Sequence, residues 1–321
     1  MNNSPIIVVA GEPYSVFLEI FFKAKKKIKT KNPIILIGSK KLICLQMKKL
    51  GFNFEINLIE VNKLNFNILS KKKINLIDVN IKSNKTFDKI SDKSNTYITE
   101  CFKISLKILK EKKCSGLING PISKKDFLKG KFLGITEYLV EKTKSKKSFA
   151  MLIYNKKMSV SPITTHLSVK DISKNISKKK IINQVKLIKE FYKNNFKTNP
   201  KIAITGLNPH CESNFKSNEE KNLIIPSIKH LNKIYSNIKG PFAADTLFMK
   251  DQLKKHDVII GMYHDQVLTP MKGLFGFDAI NITLGLPFVR ISPDHGPNES
   301  MQGKNLSDPL SLIQAIKFLD K

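Results

Sequence analysis

The chain has 321 residues, longer than a single hydrophobic core usually serves, so two domains are expected. Hydrophobic residues make up 41% of it, enough for a globular core, yet no apolar run approaches the ~20 residues a membrane-spanning helix needs. The formal net charge of +30 invites a nucleic-acid reading, but the lysines lie in short scattered runs such as KAKKKIKTK and SKKK, without interleaved aromatics, so no specific nucleic-acid partner is expected.

Taken in order, short apolar runs alternate with helical patterns. Residues 5–10 (PIIVVA) predict a first strand ending in Gly11-Glu12-Pro13, and the lack of a charged segment before a long apolar stretch argues against a signal peptide. An amphipathic run to Ile28, a strand at 33–38 (PIILIG) and a helical stretch through Leu50 follow. Residues 54–60 (FEINLIE) and 74–79 (INLIDV) read as strands. Over 94–112, Ile98, Cys101, Phe102, Ser105, Leu106 and Leu109 recur at helical spacing. Residues 115–120 (SGLING) run as a strand into Pro121. Residues 148–154 and 158–166 predict paired strands, 177–195 a lysine-faced helix, and 201–206 and 256–263 two further strands. This alternation predicts a largely parallel, doubly wound α/β sheet. Such sheets bind ligands at the carboxyl ends of their strands.

Three histidines fall directly after such runs: His166, His210 and His264. Imidazoles reaching one sheet edge from separate strands could hold a divalent ion, although no local ligand spacing such as HExxH is present. A strand-end histidine is otherwise most often a satisfied structural residue. His230 and His256 sit beside lysines on expected surfaces, and His295 lies in Asp294-His295-Gly296. Cys211 next to His210 could serve as a soft ligand, but reads rather as a small buried residue. The four cysteines show no CxxC spacing or paired framework, which suits a reducing cytoplasm.

The stretch from Gly261 to Gly296 concentrates chemistry. It holds Lys272, Asn281, three aspartates (Asp265, Asp278, Asp294) and Arg290, the single arginine among 56 Lys+Arg. A guanidinium offers a planar two-pronged fork to a phosphate or carboxylate, which an ammonium does not. Arg290 is therefore expected to bind an anion. Asp245 and Asp265, beside the site motifs, are candidates for a catalytic base, though an aspartate so placed is more often an orienting residue.

The motifs NGPISK (119–124), GITEYL (134–139), TTHLSV (164–169), GLNPH (206–210), GPFAADTLF (240–248), YHDQ (263–266) and INITLGLPFVRISPDHG (280–296) stand in the order found in the 4-hydroxythreonine-4-phosphate dehydrogenase (PdxA) family. The chain resembles that family over nearly its full length. The resemblance implies two α/β domains of the isocitrate/isopropylmalate dehydrogenase type around an active-site cleft. The first would comprise residues 1–130 plus 297–321. The second, 131–296, would carry most metal and substrate residues. It implies a cytoplasmic homodimer with one divalent metal (zinc, magnesium or cobalt) per site, held by His166, His210 and His264 and shared across subunits. Thr136, Lys272, Asn281 and Arg290 would bind substrate, and NAD or NADP would accept the hydride, with no Rossmann GxGxxG to mark its site. The implied reaction is oxidation and decarboxylation of 4-phosphooxy-L-threonine to 3-amino-2-oxopropyl phosphate.

The chain also departs from the family pattern. Tyr14-Ser15-Val16-Phe17-Leu18-Glu19 replaces a glycine-containing loop, and Ile135 stands where the family has a substrate-contacting histidine. Cys211-Glu212-Ser213-Asn214-Phe215 replaces a glycine-rich run, and Pro297 stands where threonine is usual. Two alternatives stay open: a sister dehydrogenase of another phosphorylated hydroxy acid, or a non-catalytic protein that still binds metal or phosphate.

Overall fold

The structure is a computed structural model that describes residues 4–132, 134–145, 148–212 and 218–321. The chain begins β1 (Ile6–Val9), α1 (Phe17–Lys27), β2 (Ile34–Gly38), α2 (Lys40–Lys49), β3 (Ile56–Leu58) and β4 (Ile74–Asp78). It continues through α3 (Asn95–Glu111), β5 (Gly116–Asn119), α4 (Ile135–Lys142), β6 (Ala150–Tyr154), β7 (Ser159–Thr164), α5 (Ile172–Asn175), α6 (Lys178–Phe196) and β8 (Ile202–Thr205). Then come α7 (Ile225–Asn232), β9 (Ile238–Phe242), α8 (Ala244–Leu247), α9 (Lys250–Leu253), β10 (Val258–Tyr263) and α10 (His264–Phe275). The last elements are β11 (Ile280–Leu284), β12 (Arg290–Pro293) and α11 (Leu310–Leu319). The expected α/β class is borne out.

Two units divide the chain: Met1–Ser145 with Leu286–Lys321, and Lys146–Gly285. The breaks differ from the expected 130/131 and 296/297 and place Thr136 and Arg290 in the first unit.

In the first unit the strands run β3-β4-β2-β1-β5-β12, every pairing among them parallel. Their apolar runs are buried on both faces, as helices covering both sides of a parallel sheet require. One face carries Ile7, Val9, Ile35, Ile37, Ile77 and Leu117 against Ile98, Cys101 and Phe102 of α3 and Tyr138 and Leu139 of α4. Each fully buried aliphatic or aromatic side chain there contributes about 1.5–3 kcal/mol. The departure at residues 14–19 has a physical account. Tyr14, Val16 and Phe17 fill the core, Ser15 Oγ donates to Glu12 O at 2.7 Å and accepts from Phe17 N at 3.3 Å, and α1 starts at once.

In the second unit the strands run β11-β6-β7-β10-β8-β9. The expected pairing of β6 with β7 is present and antiparallel, as is β6 with β11; β7, β10, β8 and β9 are parallel. Ser177 caps α6 by accepting from Lys180 N at 3.3 Å, and Ile181, Val185, Ile188, Phe191 and Tyr192 bury its apolar stripe. Lys189 breaks the expectation of an outward lysine face. It is buried, and its ammonium is held by Asn199 Oδ1 and the carbonyls of Pro200 and Ser236 at 2.6–2.9 Å. His256 is likewise not a surface residue. It is 8% exposed, its ring lies 5.5 Å from that of Phe242, and burial lowers its pKa. No helix among the described residues is long and apolar enough to cross a membrane.

Candidate active site

In the second unit, the parallel register sets Tyr263 of β10 beside Thr164 of β7, so the residues that follow these strands leave one sheet edge together. His166 follows β7 in the left-handed backbone region (φ 54°), and His264 opens α10. Their rings stand 5.5 Å apart. Asp265 Oδ1 lies 2.6 Å from His264 Nδ1. A carboxylate there keeps the proton on Nδ1 and leaves the Nε2 lone pair for a ligand role, the arrangement usual behind metal-binding imidazoles. These two imidazoles therefore offer two of the nitrogen donors that a divalent ion takes.

His210 comes from β8, the other neighbour of β10. It sits in a short turn, Pro209–Cys211, with both His210 (φ 56°) and Cys211 (φ 60°) left-handed. Cys211 is half-buried, so the expectation of a buried thiol is met only in part. Among the described residues, no three His, Cys, Asp or Glu side chains group to hold a metal within one chain. The structure pairs His166 with His264. Ser213, Asn214 and Phe215, named above as departures, lie outside the described residues.

Two side chains that the sequence reading passed over brace this edge. Glu220, 1% exposed, accepts from Leu207 N (2.8 Å), Asn208 N (2.9 Å) and Asn208 Nδ2 (2.9 Å), pinning the loop that delivers His210. Gln266 accepts from Thr205 Oγ1 (2.8 Å) and Met262 N (2.7 Å) and donates to Gly206 O (2.8 Å), stitching the ends of β8 and β10. Gln266 was visible within YHDQ. Glu220 had no local signal, because its partners lie about a dozen residues back.

Asp245 is exposed at the start of α8 and accepts from Thr246 N at 2.8 Å. Lys272, half-buried on α10, places its ammonium 5.4 Å from the Phe277 ring, and burial lowers its pKa. Asn281 stands on β11 opposite Ile153.

In the first unit, Arg290 opens β12 and is 1% exposed. Its Nε donates to Asn119 Oδ1 at 2.7 Å and its Nη1 to Thr136 Oγ1 at 3.4 Å. Burial pulls its pKa down to about 10, partly offset by Glu137, so the guanidinium stays charged at neutral pH. Arg290 and Thr136 thus meet. Ile135, in the place of the family's histidine, packs part-buried on the α3/α4 core. Glu12, in the turn after β1, is 2% exposed, and neither carboxylate oxygen has a hydrogen bond of good geometry. Burial raises its pKa to about 7, against the opposing pull of the Ser94 hydroxyl.

The family model of pyridoxal phosphate biosynthetic protein PdxA matches residues 29–319. A protein of Sulfurihydrogenibium sp. named 4-hydroxythreonine-4-phosphate dehydrogenase is 38% identical over 98% of this chain and 96% of its own. One of Oceanobacillus iheyensis, provisionally named D-threonate 4-phosphate dehydrogenase, is 31% identical over 98% of this chain and 97% of its own. The crystal structure of 4-hydroxythreonine-4-phosphate dehydrogenase from Klebsiella pneumoniae shares the fold, with a TM-score of 0.86 and 24% identity over 99% of this chain and 97% of that one.

Proposed function

The chain belongs to the PdxA family of pyridoxal phosphate biosynthetic proteins, and from that premise we propose that it oxidises and decarboxylates 4-phosphooxy-L-threonine to 3-amino-2-oxopropyl phosphate. NAD, or NADP in its place, takes the hydride. The observation that carries this reading is the 38% identity, over 98% of the chain, to a 4-hydroxythreonine-4-phosphate dehydrogenase. The protein works in the cytoplasm as a homodimer, with the metal site shared between subunits.

His166, His210 and His264 hold one divalent cation, zinc, magnesium or cobalt. When bound, it would supply Lewis acidity at the hydroxyl-bearing carbon that is oxidised, next to the amino-bearing carbon from which carbon dioxide is then lost. Asp265 keeps the His264 proton on Nδ1, so that the imidazole presents its lone pair. Asp245 is then the carboxylate left to take the hydroxyl proton. Lys272, Asn281, Arg290 and Thr136 bind the substrate, and Arg290 grips its phosphate in a fork that sets the reacting end for hydride transfer.

A second reading keeps the chemistry and changes the substrate to D-threonate 4-phosphate. It is favoured by the Oceanobacillus relative, 31% identical over 98% of this chain. Steady-state kinetics on both substrates, with NAD and added divalent metal, separate the two. The expected result is a kcat/KM at least about tenfold higher for 4-phosphooxy-L-threonine, equal to 1.4 kcal/mol of differential binding. The reverse preference would establish the second reading, and turnover of neither would refute both.

A further inference from the structure

We propose that Asn119 is a positioning residue for Arg290: its carboxamide oxygen takes the inner edge of the guanidinium and so aims the outer edge at the phosphate. The inference rests on the reading of Arg290 as the phosphate ligand.

Asn119 ends β5 and is 1% exposed. The parallel register sets Arg290 opposite Leu117, and Asn119, two residues on, shares that face of the sheet. The surroundings on this face are apolar: Phe102, Tyr138 and Leu139 pack against Leu117. A residue there only to fill space would be apolar, because an unmatched carboxamide is costly to bury. Both ends of this carboxamide are used. Oδ1 accepts from Arg290 Nε at 2.7 Å, and Nδ2 donates to Gly120 O at 2.9 Å.

The second bond decides the first. With Nδ2 committed to the Gly120 carbonyl, the amide cannot flip without facing its own N–H groups to the guanidinium, which has only donors. The anchor itself is held: Gly120 N donates to Val9 O at 2.8 Å, and a Cβ at Gly120 would stand only 2.2 Å from Ala10 O, so the end of β1 lies directly against that residue. Strand β1 thus holds Gly120, Gly120 orients Asn119, and Asn119 orients Arg290.

This arrangement also explains why the chain's single arginine is here. A lysine has no Nε–H held in the plane of its charge, so it could not be held along one edge while offering the other. A long side chain ordered before its ligand arrives gives up less freedom on binding, which raises affinity.

Inorganic phosphate is the probe, titrated by calorimetry into four proteins: wild type, Asn119→Ala, Arg290→Lys and the double variant. Thermal melting confirms that each is folded, and Asn119→Ser replaces Asn119→Ala throughout if the alanine variant does not fold. Asn119→Ala is expected to weaken phosphate binding about tenfold in the wild-type background, as loss of a charge-assisted hydrogen bond would, and less than about twofold in Arg290→Lys. A merely structural asparagine would cost the same in both backgrounds, and that result would overturn the proposal. So would an Asn119→Ala protein that binds phosphate as tightly as wild type. Failure of the wild type to bind phosphate would instead overturn the reading of Arg290, and the proposal with it.

Discussion

Arg290 and Glu12 are charged groups in the same unit that folding has taken out of water, and each has a measurable consequence. Replacing Arg290 by lysine keeps the charge but removes the fork and the Nε bond to Asn119. Losing one charge-assisted hydrogen bond costs about 1.5–3 kcal/mol. Arg290→Lys is therefore expected to lower kcat/KM at least about tenfold and, by stripping the buried Asn119 Oδ1 of its partner, to lower the melting temperature as well, with kinetics measured where the variant is fully folded. Unchanged kinetics would make the lone arginine an accident of composition. Glu12 speaks through pH. Below pH 4.5 its side chain is neutral in both folded and unfolded chains, and its burial carries no charge penalty. As pH rises from 4.5 to about 7 the unfolded chain releases the proton first, so the folded state loses stability, by about 3 kcal/mol once both are ionised. Glu12→Gln should melt close to wild type near pH 4.5 and clearly higher at pH 8. Parallel melting profiles across that range would contradict the assignment.

Elements built from uninterrupted apolar runs were legible in the sequence. Strands β1, β2, β4, β5, β8 and β10 lie within the ranges predicted for them, because a strand covered on both faces must be apolar throughout. Strand β9 is not legible because Ile-Lys-Gly-Pro-Phe looks like a turn, yet among the described residues β9 pairs with β8 alone, at the rim of its sheet, where such residues are tolerated. Strands β11 and β12 were hidden by the chemistry they carry, since Asn281 and Arg290 drew the reading to a site and away from the backbone. The pairing of His166 with His264 follows from two adjacent strand ends, but no pattern of residues could show that the strands are neighbours. The bracing by Glu220 was beyond reach for the same reason. Its removal is testable. Glu220→Ala strips the acceptor from two backbone N–H groups and the Asn208 amide, and is expected to lower stability by about 2 kcal/mol and to lower metal retention. His230→Ala, at an exposed position on α7, serves as the control and should change neither. Wild-type metal content in Glu220→Ala would detach this carboxylate from the His210 loop.

At the scale of the whole molecule, the net charge of +30 is carried by lysines scattered along the chain. The lysine ion pairs on exposed faces, such as Lys63 with Glu60 and Lys73 with Glu55, are of the kind that contribute little to stability. What distinguishes this chain is the match of its motifs, in order, to one family over residues 29–319. The departures at Ile135 and at residues 14–19 are absorbed into helix packing and a filled turn. The central claim is a metal-dependent oxidation coupled to loss of carbon dioxide. It is tested most directly by following NADH and carbon dioxide together in one reaction of the intact protein with 4-phosphooxy-L-threonine and NAD, before and after chelation and after a divalent metal is restored. The account expects the two products in equal amounts, both abolished by the chelator and both recovered with the metal. NADH formation indifferent to the chelator, or no NADH with metal supplied, would contradict it.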